Sequence, residues 1–123
     1  MDYTKKKSLL AAAAVLLGAW GAVAIAQQAG FTRALLQDQE LSDATRHAVQ
    51  VRAEFEPGAA AGRHTHPGEE LGYVLEGTLV VEIEGKAPLT LQAGDTFFVP
   101  AGTVHDGKNV GAGKAKVLAT YIV

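Results

Sequence analysis

The chain has 123 residues, 48% of them hydrophobic, with 14 glycines and no cysteine, which allows one domain at most and excludes a disulfide scaffold or a thiolate zinc site. A formal net charge of −2, with no basic run beyond the first seven residues, gives no sign of a nucleic-acid partner.

The chain opens on Lys5, Lys6 and Lys7, then runs without charge from Ser8 to Gln28, passing through Ala24-Ile25-Ala26. A cationic start, an apolar run and an Ala-x-Ala ending are the three regions of a secretory signal peptide. An uncleaved membrane anchor is the rival reading, because the run is nearly long enough to span a bilayer. Its alanine richness, Gly18, Gly21 and the small residues at its end favour cleavage after Ala26, so that the mature protein starts at Gln27. Cleavage would remove three lysines and Asp2, taking the net charge to about −4. Both readings deliver the remainder outside the cytoplasm, periplasmic or secreted, with a membrane contact only through the amino-terminal segment if it stays uncleaved.

Residues 27–45 form a lead-in, in which Leu35 to Ala44 fits either a short helical turn or an irregular strand, and a barrel is expected over 46–123. From His47 to Phe55 the chain alternates, with Val49, Val51, Ala53 and Phe55 on one face and Gln50, Arg52, Glu54 and Glu56 on the other. A period of two is a half-buried strand, and Pro57-Gly58 ends it. "ELGYVLEGTLVVEIEG" reads as two strands joined as a hairpin at Glu76-Gly77, the second ending at Gly85-Lys86. "LTLQAGDTFFVP" supplies two short strands around Ala93-Gly94-Asp95, and Thr103 to Asp106 continues the sheet after Pro100-Ala101-Gly102. "GKNVGAGK" reads as a loop and "AKVLATYIV" as a final strand. Short strands punctuated by Gly and Pro predict an all-β sandwich or barrel. The core candidates are Leu79, Val81, Ile83, Leu89, Leu91, Val99, Val117 and Leu118, with Tyr73, Phe97, Phe98 and Tyr121 as core or pocket-lining aromatics.

"RHTHPGEE" concentrates polar chemistry in one turn. Extended backbone sends His64 and His66 to the same side, and Pro67-Gly68 reverses the chain so that Glu70 can return to it. On spacing alone this is either a metal site at one end of a barrel or a polar surface turn. His47 reads as surface, Glu69 as solvent-facing, and Arg63 and Asp106 as structural residues that alternate away from their neighbours.

Two longer patterns surround these residues. Gly58, His64, His66, Glu70 and Gly77 match Gly, five residues, His-x-His, three residues, Glu, six residues, Gly. Gly94, Pro100, Gly102, His105 and Asn109 match Gly, five residues, Pro-x-Gly, two residues, His, three residues, Asn. With every position filled, the chain resembles a small single-domain cupin of the type-2 cupin family. The resemblance implies a double-stranded β-helix, or jelly-roll barrel. It also implies one divalent metal on His64, His66, Glu70 and His105. Three imidazoles and one carboxylate suit iron, manganese, nickel, copper or zinc better than calcium or magnesium. Gly77, Gly94 and Gly102 read as turn glycines, and Pro100 and Asn109 as structural, Asn109 tying the last loop.

Two functions follow. A substrate with adjacent oxygens (an enol, a hydroxy-ketone or a hydroxy acid) could chelate the metal and be activated there, with dioxygenase-like chemistry implied by the resemblance. Alternatively, the barrel captures a metal or small ligand without turnover, since one fold hosts both roles. No separate nucleophile, paired carboxylate or nucleotide loop is present, so no catalytic residue is assigned. The expected partners are a small molecule and a second copy of the chain. Pairing is expected because a small domain is marginal alone and "AKVLATYIV" reads as an apolar edge strand.

Overall fold

The computed structural model describes residues 28–123, so the expected signal peptide over 1–26 and the start at Gln27 lie outside the described residues. Eight strands follow in order: β1 (Phe31–Glu40), β2 (His47–Phe55), β3 (Glu69–Glu76), β4 (Thr78–Ile83), β5 (Leu89–Gln92), β6 (Thr96–Val99), β7 (His105–Asn109) and β8 (Ala115–Ile122). They form two antiparallel sheets, one ordered β1-β2-β8-β3-β6 and the other β5-β4-β7. This is the expected all-β, jelly-roll architecture.

The inner faces follow the alternation in β2, β4 and β8. Val49 and Val51 are fully buried, with Leu79, Val81, Ala115 and Val117 close behind. Their outward neighbours Gln50, Arg52, Lys116 and Leu118 are only half-buried. The segment expected as a lead-in contributes a full strand, since β1 pairs with β2 from Phe31↔Phe55 to Glu40↔His47. A bulge between Leu35 and Gln37 shifts the register by one, so Phe31, Arg33 and Leu35 face inward before it and Asp38 after it.

Four expectations need correction. Glu76-Gly77 does not close a hairpin, because β3 belongs to the larger sheet and β4 to the smaller. Gly77 carries the crossing at φ +84°, and a Cβ there would lie 2.5 Å from the Lys114 carbonyl oxygen, so both backbone shape and space demand glycine. The stretch read as a loop from Gly107 is strand as far as Asn109. The carboxy-terminal strand is no edge, since β8 runs between β2 and β3. Leu89, Tyr73 and Phe98 are exposed and Leu118 is half-buried, so none of these core candidates enters the core.

Asn109 does tie the last loop. Its amide donates to the Phe55 and Gly113 carbonyls at 3.1 and 2.8 Å, and its Oδ1 accepts from the Gly111 N–H at 2.9 Å.

Candidate metal centre

The stretch from Ala59 to His66 is not a named strand, yet it is held extended along β7. His64 and His105 exchange both backbone hydrogen bonds at 3.0 Å, the Ala61 N–H donates to Gly107 at 2.9 Å, and the Gly102 N–H donates to His66 at 2.9 Å. Asp106 completes the docking by accepting the Gly62 N–H at 2.9 Å. Its side chain leaves β7 on the side away from His105, as alternation requires, and burial raises its pKa.

This backbone brings His64, His66 and His105 together, with one ligand atom from each lying within 4.8 Å of the others. Each ring is fixed from behind in the same manner. His64 Nδ1 donates to the Gly62 carbonyl, His66 Nδ1 to Gly68 at 2.7 Å and His105 Nδ1 to Thr103 at 2.8 Å. A carbonyl only accepts, so the proton of each neutral imidazole sits on Nδ1 and Nε2 is left with a lone pair turned inward. Glu70 enters from the first turn-side residues of β3. Its Oε1 stands 3.1 Å from His66 Nε2 and 3.2 Å from His105 Nε2.

Glu70, His66 and His105 are almost fully buried, at 5%, 3% and 4% exposure, so water cannot screen them. Lone pairs of neutral imidazoles against a carboxylate repel one another, and the group holds together only with positive charge at its centre. Protons can supply it. Burial would raise the Glu70 pKa, but hydrogen bonds from His105 and His66 outweigh it and hold the carboxyl down at about 2. Burial would lower His105, but its bond to Glu70 and the charge of Glu70 win and raise it. His64 has no such contact, and burial pulls it down to about 4. A divalent cation would also supply that charge, and imidazole and carboxylate are donor types that borderline transition metals accept.

Of the four residues named from the sequence, the three histidines form one group and Glu70 touches two of them, His66 and His105. The sequence reading missed what stands beside them. Tyr121 of β8 sits opposite Glu70 of β3, and its ring packs edge-on against His66 with centroids 4.9 Å apart. Burial first, then the Glu70 charge, raises its pKa, so the phenol keeps its proton. Arg33 of β1 lies near enough to act in the opposite direction on that phenol. Arg33 and Phe31 line a pocket that His64, Glu70 and His105 also border. The pocket has about 460 Å³ of empty space, including its open mouth. Most of that space is open to solvent, and the enclosed cavity is about 40 Å³. The F-x-R-x-L spacing of Phe31, Arg33 and Leu35 was the available signal, but it identifies pocket residues only once the segment is known to be a strand.

His47 is more than a surface residue. Its Nδ1 meets Oδ1 of the buried Asp38 at 2.8 Å, away from the metal group, and closes the end of the β1–β2 pair.

The family model described as "Cupin domain" matches residues 51–121. Oxalate oxidase 2 of Hordeum vulgare is 33% identical over 78 residues, 57% of this chain and 35% of that protein. The HTH-type transcriptional regulator PuuR of Escherichia coli (strain K12) is 35% identical over 77 residues, 62% of this chain and 41% of the regulator. The chain thus spans well under half the length of these curated relatives. Among solved structures, a predicted oxalate decarboxylase from Thermotoga maritima superposes with a TM-score of 0.68 at 30% identity, covering 80% of this chain and 86% of that one.

Proposed function

The chain belongs to the cupin domain family, and from that premise we propose that it binds one divalent transition metal on His64, His66, Glu70 and His105 and uses it on a small oxygen-rich molecule. The observation that carries this is the convergence of three Nδ1-anchored imidazoles and one carboxylate in a buried space that demands positive charge. A metal held there would supply Lewis acidity and, if redox-active, a route to dioxygen, which makes dioxygenase-like chemistry the leading activity. Support comes from the oxalate oxidase and predicted oxalate decarboxylase among the similar proteins.

The chain's own residues do the rest. Carbonyls behind the three rings fix their tautomers and aim Nε2 inward. Phe31, Phe55, Leu79 and Phe97 keep the pocket walls apolar and limit water around a bound molecule. Gly72 makes room for this, because a Cβ there would collide with the Phe97 ring at 2.2 Å.

A second reading has its own support. Apart from the proposed ligands, the titratable phenol of Tyr121 is held protonated, which leaves it ill suited to take up a proton near neutral pH. That favours a module that captures a ligand without turnover, a role compatible with the likeness to a transcriptional regulator. Elemental analysis of the purified protein, followed by dioxygen uptake against enols, hydroxy-ketones and hydroxy acids, separates the two. The enzyme reading expects both metal and uptake, whereas metal with no turnover on any substrate leaves the binding module.

Export and pairing complete the proposal. The cationic start and Ala24-Ile25-Ala26 support cleavage after Ala26, and amino-terminal sequencing of exported protein should begin at Gln27. Two copies would pair through the outer face of β3, β6 and β8. There Leu71, Tyr73 and Phe98 are each about half exposed on adjoining strands, an apolar area that a second copy would cover.

A further inference from the structure

The described arginines divide into two kinds. Arg46, Arg52 and Arg63 each lie within 4.0 Å of a carboxylate, those of Asp43, Glu54 and Glu84. Among the described residues Arg33 has no such ion pair. It borders, together with Tyr121, the pocket on which His64, Glu70 and His105 open. A half-buried guanidinium beside a pocket, with no paired carboxylate within 4.0 Å among the described residues, is suited to receive an anion.

Its place on the sheet directs it toward the metal group. Arg33 pairs with Ala53, which pairs with Val117, while Tyr121 lies two rungs further along β8. The rung between them carries Ala119 and Gly72 on its inner side. Leu35 and Val51 share that rung and the Phe97 ring covers Gly72, while Arg33 and Tyr121 both border the pocket on which Glu70 and His105 open. Charge agrees with position. Three neutral imidazoles and one carboxylate leave a divalent ion with net positive charge, and Arg33 adds to it. Asp106, which borders the same pocket, is engaged by the Gly62 N–H, and its charge reaches His105 but forms no ion pair with Arg33.

We propose that Arg33 is the anion-recognition residue of this pocket, so that the ligand class is small carboxylates that also chelate the metal, hydroxy acids and keto acids among them. This rests on the metal reading above and narrows it, since enols and hydroxy-ketones without charge forgo the arginine. A planar guanidinium matches a carboxylate with two parallel N–H bonds, which a lysine cannot reproduce. Arg33 comes from β1, before the residues matched by the family model, and is therefore a specificity element outside the matched region.

The test uses the full-length chain loaded with Mn²⁺, with ion content measured first. Binding of glycolate and of uncharged hydroxyacetone is then compared in wild type, Arg33→Gln and Arg33→Lys. All three should hold equal Mn²⁺. Arg33→Gln should bind glycolate about tenfold or more weakly while keeping hydroxyacetone within about twofold, and Arg33→Lys should fall between. Equal glycolate affinity in Arg33→Gln and wild type would overturn the inference, as would a matched loss of both ligands or of Mn²⁺, which would make Arg33 a structural prop. Wild type that retains no Mn²⁺ would instead remove the metal reading, and this inference with it.

Discussion

The larger sheet keeps apolar residues inside along most of β2 and β8, but at positions of β1, β3 and β6 the usual distribution of residues reverses. Its inner face carries Arg33, Asp38, Glu70 and Tyr121, and its outer face carries Leu71, Tyr73 and Phe98. A buried polar group is tolerated when it is partnered, and each inner group has a polar neighbour. Asp38 meets His47, Glu70 meets His66 and His105, and Tyr121 lies near Arg33. The outer apolar side chains face solvent instead. Departures on the inner face thus mark chemistry, and those on the outer face mark a surface for another molecule.

Substitutions that distinguish inner from outer positions test this contrast. The largest effect is expected in the apolar core against which that inner face packs, contributed by β4 of the smaller sheet. Leu79 is 1% exposed, and Leu79→Ala should lower unfolding free energy by about 2–5 kcal/mol in urea titration. A smaller loss should follow from separating an inner pair away from the metal group. His47→Ala leaves buried Asp38 without its imidazole and should cost about 1–3 kcal/mol, with metal content unchanged.

A graded effect should appear with pH in protein freed of metal by chelator. His64 is held near 4 by burial against an ordinary 6.5. Between those values the unfolded chain takes up a proton that the folded chain refuses, so stability falls as pH drops through that window. Glu70, held near 2 against an ordinary 4.5, acts with the same sign over its own lower window. His105, raised by Glu70 despite burial, acts oppositely above about 6.5, where its contribution is lost as pH rises. Urea midpoints should therefore peak near neutrality, and a midpoint that climbs steadily toward acid pH would contradict these assignments.

The smallest effect on stability is expected outside. Phe98→Asp should change monomer stability by no more than about 0.5 kcal/mol yet shift the mass seen by light scattering from dimer to monomer. A wild type that is monomeric at micromolar concentration removes the pairing proposal.

The same reversal explains what the sequence could disclose. β2 and β8 were legible because apolar residues alternate with polar ones in both, and the inner set proved to be the apolar one. In β3 hydrophobicity points the wrong way, since Glu70, Gly72 and Val74 face inward while Leu71 and Tyr73 face out. Tyr73 and Phe98 were thus placed in the core for a sound reason that this strand does not obey. The turn at Glu76-Gly77 was visible but not its destination, because a glycine at positive φ serves a sheet-to-sheet crossing as well as a hairpin. The ligand candidates were legible because their spacing is local or set by short turns. Arg33 was not, since its nearness to Tyr121 depends on β1 pairing with β2 and β2 with β8, contacts between distant parts of the chain.

The central claim is that four inward donors share one ion, and ion content per chain in wild type and His105→Ala tests it most directly. The account predicts about one divalent ion per wild-type chain and most of it lost in the variant, because His105 Nε2 is a buried, preoriented donor whose place water fills poorly. A variant that keeps its full metal content, or a wild type that binds none when metal is supplied, would contradict it.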